Sequence, residues 1–413
     1  MGRSFGYAAY RALSRRKTLA EPDRRPDRPA GELVWMHAET PERVAALCDL
    51  ATRLRALRPD TQLLLTIQPG AAPAVPADPC AAVDHVEPLD EDHPDAAARF
   101  LEHWAPDLCL WAGAGLRFNL IVTASERGVP LMLVDIDGTA LRAQAPGWLR
   151  GPQRSALACF EAIMAIDKTT GAQLRKLGVP APRIEVTGPL RAGVTPPPCS
   201  DEAVAETTKT LAGRPVWLAA HLPAAEADAV LAAHRQAVRL SHRLLLVLHP
   251  ANLDEISEID AAVRASGLRA AGDSGAETLD ENTQLLTVTD PQALGLWYRI
   301  AQLCFLGGSF SGATSMPNPM HPAALGAAVL YGPAGRTLHS EAQSRLTKAG
   351  AARRVSDAET LAQAVVDLIA PDRVAEMALA GWEVVTEGAE MADRVLERMQ
   401  DMLDLARVAH ARS

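Results

Sequence analysis

The most constraining feature of this chain is a recurrence. Short runs of aliphatic and β-branched residues alternate with stretches of helical periodicity from about residue 31 to beyond residue 370. The first series lies at 33–36, 62–67, 108–111, 130–134, 162–166 and 183–186; the second lies at 215–219, 243–248, 284–288, 303–306 and 328–331. These runs are short and mostly apolar, and their alternation with helices implies a parallel sheet covered on both faces. After the first run, Val44, Leu47, Leu50, Ala51 and Leu54 fall on one helical face, with Thr40 as N-cap and Pro41 as first helical residue. The two series meet at a proline-rich stretch containing Pro196-Pro197-Pro198, the composition of a linker. The expected organisation is a basic amphipathic segment at 1–29, a Rossmann-like domain at 30–190 and a linker at 191–212. A second Rossmann-like domain at 213–380 and a C-terminal helix at 381–413 complete it. This is α/β architecture of the two-domain GT-B kind, with the domains facing a cleft and the chemistry in loops after the strands.

Composition excludes several classes. With 413 residues, 48% hydrophobic and 22% charged, the chain builds a large core without disulfide staples. A net charge of −9 argues against a nucleic-acid partner. No apolar run reaches the ~18–20 residues of a membrane span, and the start lacks a secretory apolar stretch. No two of the six cysteines are closer than 29 positions, so no paired-cysteine metal or redox motif exists and the chain reads as reduced and cytosolic. The first 28 residues differ, with eight basic residues against three acidic ones and Phe5, Tyr7, Tyr10 and Leu13 interleaved. That pattern suits either peripheral docking on anionic lipid or a solvated tail.

Several motifs carry chemical options. Cys304 to Leu306 runs into Gly307-Gly308-Ser309-Phe310-Ser311, and Asn318-Pro319 then opens a helix. Such a glycine loop either cradles a phosphate or forms a plain tight turn. Arg336, in a following loop, is either a phosphate contact or a surface arginine. Asp135-Ile136-Asp137-Gly138-Thr139 matches the nucleophile motif of haloacid-dehalogenase-type phosphatases, although three or four strands precede it. Gly113-x-Gly115 faintly suggests a dinucleotide fingerprint but lacks the third glycine. His85, His93 and His103 have no metal-binding spacing, and no metal or cofactor is expected.

The ordered series Trp35-Met36-His37-Ala38 with Glu42, Val186-Thr187-Gly188, Gly295-Leu296-Trp297-Tyr298, Phe305 to Ser309, Asn318 to Ala324 and Val329 to Pro333 resembles the Kdo transferases. That family adds 3-deoxy-D-manno-octulosonic acid (Kdo) to lipid A precursors. The resemblance implies an inverting, metal-independent transfer from CMP-Kdo in lipopolysaccharide biosynthesis, at the cytoplasmic face of the inner membrane. It implies that Glu42 is the general base, with Glu39 as rival because the loop is one residue shorter than the family's. It implies donor contacts from Gly307, Gly308, Ser309, Ser311, Asn318, His321, Arg336 and His249. The chain also departs from the family. His321 stands where the family has a ribose-binding glutamate, Leu248-His249-Pro250 lacks an arginine, and Gly113-Ala114-Gly115 replaces an acidic stretch. These losses leave open a binding or scaffold protein without catalysis.

Overall fold

A computed structural model describes residues 5–16, 25–68, 82–89, 92–144, 147–272, 279–312, 316–334 and 339–410. The chain forms two compact units, Met1–Gly193 with Gly388–Ser413, and Val194–Glu387.

The first unit contains α1 (Phe5–Ser14), β1 (Leu33–Ala38), α2 (Pro41–Leu57), β2 (Gln62–Ile67), β3 (His85–Pro88), α3 (Pro94–Trp104) and β4 (Leu108–Ala112). It continues through α4 (Phe118–Glu126), β5 (Leu131–Ile136), α5 (Gly138–Gln144), α6 (Arg150–Leu157), β6 (Ala162–Ala165), α7 (Lys168–Lys176) and β7 (Ile184–Val186). The second unit contains α8 (Asp201–Leu211), β8 (Val216–Leu222), α9 (Ala224–Leu240), β9 (Leu245–Pro250), α10 (Ile256–Ser266), β10 (Ala270–Gly272) and β11 (Leu285–Thr287). It continues through α11 (Leu294–Ile300), β12 (Leu303–Leu306), α12 (Met320–Ala324), β13 (Ala328–Tyr331), α13 (Ser340–Ala349), β14 (Ala352–Arg354), α14 (Ala358–Leu368) and α15 (Pro371–Thr386). The last helix, α16 (Ala389–His410), returns to the first unit.

Each unit holds one parallel seven-stranded sheet, in the orders β3-β2-β1-β4-β5-β6-β7 and β10-β11-β9-β8-β12-β13-β14. Both have Rossmann-like topology, with the order reversing beside the first strand. The switch points, where ligands bind in such sheets, lie between β1 and β4 and between β8 and β12.

The apolar runs explain the layers. All six residues of β1 are buried, and Trp35 packs against Phe100 and Trp111 on one face. On the other face Val44, Leu47 and Leu54 of α2 share a core with Met391, Val395, Met399 and Leu403 of α16. Thr40 caps α2, its hydroxyl accepting the Arg43 amide at 3.4 Å, and Pro41 follows as expected.

Three expectations meet differences. The segment expected as a linker contains α8, whose Ser200 hydroxyl caps it by accepting the Ala203 amide. The expected C-terminal helix is two helices, the end of α15 in the second unit and α16 in the first. Cys48 on α2 is disulfide-bonded, against the expectation of a wholly reduced chain, whereas Cys109, Cys159, Cys199 and Cys304 are free thiols. The basic segment is partly built into the first unit. Tyr7 is buried at 1% exposure in the same core as Trp104 and Phe160, and the Tyr10 hydroxyl donates to Asp92 at 2.9 Å. Leu13 faces outward, and Arg3, Lys17 and Arg24 lie outside the described residues. No helix among the described residues is long and apolar enough to cross a membrane.

Candidate functional site

The β1/β4 switch point is occupied by a carboxylate. Ala38 pairs with Ala112, so the residues that follow, Glu39 and Gly113, leave the sheet side by side. A Cβ on Gly113 would lie 2.6 Å from Glu39 Oε2, and one on Gly115 only 1.3 Å from Oε1. The two glycines therefore exist as a seat for the Glu39 carboxylate, which explains the glycine pair without a dinucleotide. Glu39 is held loosely, by Arg43 Nη1 at 3.5 Å, and its Oε1 is buried with no hydrogen-bond partner. Burial raises its pKa above the ordinary carboxylate value, against the opposing pull of Arg43 and the Gly115 amide. Glu42, by contrast, is exposed on the first turn of α2, where it faces solvent and complements the positive helix end.

The floor of this crevice is buried and aromatic. His37 is fully buried, with its ring 4.0 Å from that of Trp111, and Nδ1 lies 3.0 Å from the Thr66 hydroxyl. Burial, and then Arg117 at the start of α4, lower its pKa to about 3, so it is neutral at physiological pH. Arg43 ties the wall together. Its Nε donates to Asp135 Oδ2 at 2.7 Å, while Asp135 Oδ1 accepts the Leu190 amide at 3.1 Å.

This geometry disposes of the remaining motifs. Both Asp135 oxygens are engaged, and Asp137 accepts the Thr139 amide at 2.9 Å as a helix cap, so neither presents the free carboxylate a phosphatase nucleophile needs. His93 Nδ1 accepts the Asp95 amide, His103 bonds the Pro26 carbonyl and His85 lies against Trp104. No metal-binding cluster occurs among the described residues.

The β8/β12 switch point repeats the backbone plan with other chemistry. Leu306 pairs with Ala220, which sets Gly307 beside His221. A Cβ on Gly307 would lie 2.2 Å from the His221 carbonyl oxygen, so this glycine is needed for close backbone approach. Gly308, with φ +79°, turns the loop. The loop amides are already satisfied. Glu226 on α9, 2% exposed, accepts Gly308 N–H on Oε2 at 3.0 Å. Its Oε1 accepts Phe310 N–H at 3.0 Å, Ser311 N–H at 2.7 Å and Ser311 Oγ–H at 2.7 Å. Ser309 is buried and knits the loop, donating to the Leu306 carbonyl and accepting the Gly332 amide at 2.8 Å. At α12 the Asn318 side chain accepts the Met320 amide at 3.0 Å and its carbonyl accepts His321 N–H at 3.1 Å. The expected phosphate donors thus serve a carboxylate and a one-turn helix of this chain.

Around them lie imidazoles. His221, at φ +53° near the end of β8, has its ring centroid 5.1 Å from that of His249 at the end of β9. His249 is 5% exposed, and neither ring nitrogen has a hydrogen-bond partner. Burial and the neighbouring His221 lower its pKa to about 4. Burial also lowers His321, with His339 and His221 adding repulsion, and His339 itself. Arg336 lies outside the described residues. His234 is a core residue instead, accepting Trp217 Nε1–H on Nδ1 at 3.0 Å and donating to the Gln284 carbonyl at 2.8 Å.

Sequence reasoning missed Glu226 and Arg43. Glu226 has no local signal, because its partners are 82 to 85 positions away. Arg43 could have been found, since it lies four positions after Glu39 on a helix start.

Comparisons with known proteins agree with this architecture. The family model for 3-deoxy-D-manno-octulosonic-acid transferase (kdotransferase) matches residues 11–194. A 3-deoxy-D-manno-octulosonic acid transferase of Haemophilus influenzae is 25% identical over 382 residues, 91% of this chain and 88% of the relative. The crystal structure of Acinetobacter baumannii MurG aligns with a TM-score of 0.50 at 15% identity, over 90% of this chain and all of MurG, a likeness of fold alone. A 3-deoxy-D-manno-octulosonic acid transferase of Bordetella pertussis is 30% identical over 325 residues, 76% of this chain and 74% of the relative. On that match and the two Rossmann-like sheets, the chain belongs to the Kdo transferase family and is a glycosyltransferase of the GT-B fold class.

Proposed function

We propose that this glycosyltransferase acts in lipopolysaccharide biosynthesis, moving Kdo or a related sugar from a CMP-activated donor to a lipid A-type acceptor with inversion, at the cytoplasmic face of the inner membrane. The acceptor hydroxyl is bound by the first unit and the nucleotide by the second. The hydroxyl oxygen attacks the anomeric carbon, the bond from that carbon to the phosphate oxygen breaks, and its electron pair leaves with CMP. The acceptor proton goes to a carboxylate, and Glu39 is the group we assign. The observation that carries this reading is the Glu39 carboxylate itself, seated at a switch point, held only by a 3.5 Å ion pair and the Gly115 amide, with its pKa raised by burial. A raised carboxylate pKa brings a base closer to working pH.

The test compares Glu39→Gln with Glu42→Gln, measuring transfer from CMP-Kdo to a lipid A precursor. Loss of a general base costs about 10²–10⁴ in rate. That loss belongs in Glu39→Gln, with CMP binding unchanged by calorimetry and a much smaller loss in Glu42→Gln. The reverse pattern returns the base role to Glu42. A wild-type protein that binds CMP but transfers no activated sugar is a scaffold.

A further inference from the structure

The second unit has a glycine loop that a phosphate would ordinarily use, and that loop is closed to one. Three amides and a hydroxyl converge on Glu226. An incoming anion would meet this carboxylate as well as the spent donors, and two like charges in close contact repel. An anionic ligand of this crevice therefore needs other partners.

The adjoining strand ends supply them. His249 is buried with both ring nitrogens unpartnered, and buried polar atoms without partners are costly unless a ligand completes them. His221 faces it at 5.1 Å, held in the left-handed region that a side chain rarely adopts, beneath a glycine that permits its backbone approach. His321 on α12 and His339 before α13 are the next titratable groups, and Asp290, after β11, is the acid that draws on His249. An imidazole donates one hydrogen bond when neutral and two when protonated, so it strengthens in response to an anion.

Resting on the reading of the second unit as the donor side, we propose that His221 and His249, flanked by His321 and His339, form a proton-coupled anion site that takes the phosphate of the nucleotide donor. Donor binding is then accompanied by proton uptake, because the anion stabilises the imidazolium that burial disfavours in the empty site.

Calorimetric titration of the full chain with CMP and with cytidine, from about pH 8 to about pH 5.5, tests this. CMP affinity should rise as pH falls, by up to about tenfold per pH unit, while cytidine affinity stays flat. The ligand cannot produce that trend, since protonation of a phosphate monoester near pH 6 removes negative charge and weakens binding. In wild-type protein, buffers of differing ionisation enthalpy should report proton uptake with CMP alone. The His249→Gln and His221→Gln variants should flatten the CMP slope. A flat CMP profile beside measurable cytidine binding, or a slope retained in both variants, overturns the anion site and leaves the donor reading standing. If neither CMP nor cytidine binds at any pH, both fall together.

Discussion

The two sheets reverse their strand order at equivalent places, yet the crevices over β1/β4 and β8/β12 do different work. Each receives one glutamate reaching over glycines, buried at Glu226 and half-buried at Glu39. Glu226 accepts four hydrogen bonds, from Gly308, Phe310 and both groups of Ser311, which leaves it nothing to give a substrate. Glu39 has one ion pair at 3.5 Å and, beyond it, only the pull of the Gly115 amide. Both are carboxylates taken out of water, and the count of donors separates a loop staple from a candidate base. A saturated carboxylate holds backbone in place; an unsaturated one has a lone pair free for a proton and a pKa already moved towards neutrality.

The strongest way to break that contrast is to unseat Glu39 without touching it. Gly115→Ala puts a methyl group where the carboxylate now lies. Transfer activity should fall at least ~100-fold, the scale of a 1 Å misplacement of a catalytic group. Gly147→Ala, at a position with open space around it, should change little. Equal activity in the two variants would show that the seat does not matter. The matching perturbation of the other crevice is Glu226→Ala. It leaves three amides without their acceptor, and urea unfolding should report about 3 kcal/mol lost from the second unit. Glu226→Gln, which keeps one carbonyl oxygen, should lose less, and an unaltered midpoint in both would mean that the loop does not depend on Glu226.

How far the sequence carried depends on the range of the interaction. Strands buried on both faces announce themselves as apolar runs, so β1, β2, β4, β8 and β12 were legible to within a few residues. The short edge strands β3, β10 and β14 were not, because His85–Pro88 and Ala352–Arg354 lack such runs. The family resemblance pointed to a glutamate after β1 but chose between Glu39 and Glu42 by helix register alone. What distinguishes them is the pair of glycines 74 and 76 positions after Glu39, whose meaning appears only once β1 and β4 lie side by side. Likewise Gly307-Gly308-Ser309 reads as a phosphate loop until Glu226 fills it. Local propensity cannot report which donors a distant side chain has already taken.

Acid should separate the two units. A histidine titrating at about 4 when folded, against about 6.5 when unfolded, gives stability that is complete above about pH 6.5 and lost as pH falls towards about 4. Burial lowers five histidines of the second unit, His221, His234, His249, His321 and His339, whereas in the first it lowers His37. The first unit instead carries Glu39, Asp92 and Asp135, all raised by burial. For those the sign is opposite, since the folded state holds their protons more tightly and gains stability as pH falls. Scanning calorimetry of the full chain between about pH 7 and about pH 5 should show the second unit's transition falling by at least ~3 °C more than the first's. The transition that moves in Glu226→Ala identifies it. Parallel shifts would show that the two crevices do not differ in this respect.

The smallest effect concerns the outer surface of the first unit, the side assigned to a membrane-borne acceptor. Tyr7 and Tyr10 hold α1 against the body of the unit, so the helix is not free to insert along its whole apolar side. What it offers outward is Leu13, 51% exposed, next to Arg15 and Arg16. An apolar residue beside two cations suits an anionic lipid surface. Leu253 on the second unit is equally exposed, at 56%, but is followed by Asp254 and Glu255, which such a surface repels. Burying the exposed half of a leucine contributes about 1 kcal/mol, or roughly fivefold in partition. Leu13→Glu should therefore weaken flotation of the full chain with anionic vesicles by about that factor or slightly more, because it also adds a negative charge. Leu253→Glu should leave flotation unchanged. If the two substitutions act alike, the first unit has no special claim to the membrane, and the basic segment serves only to pack α1 onto its fold.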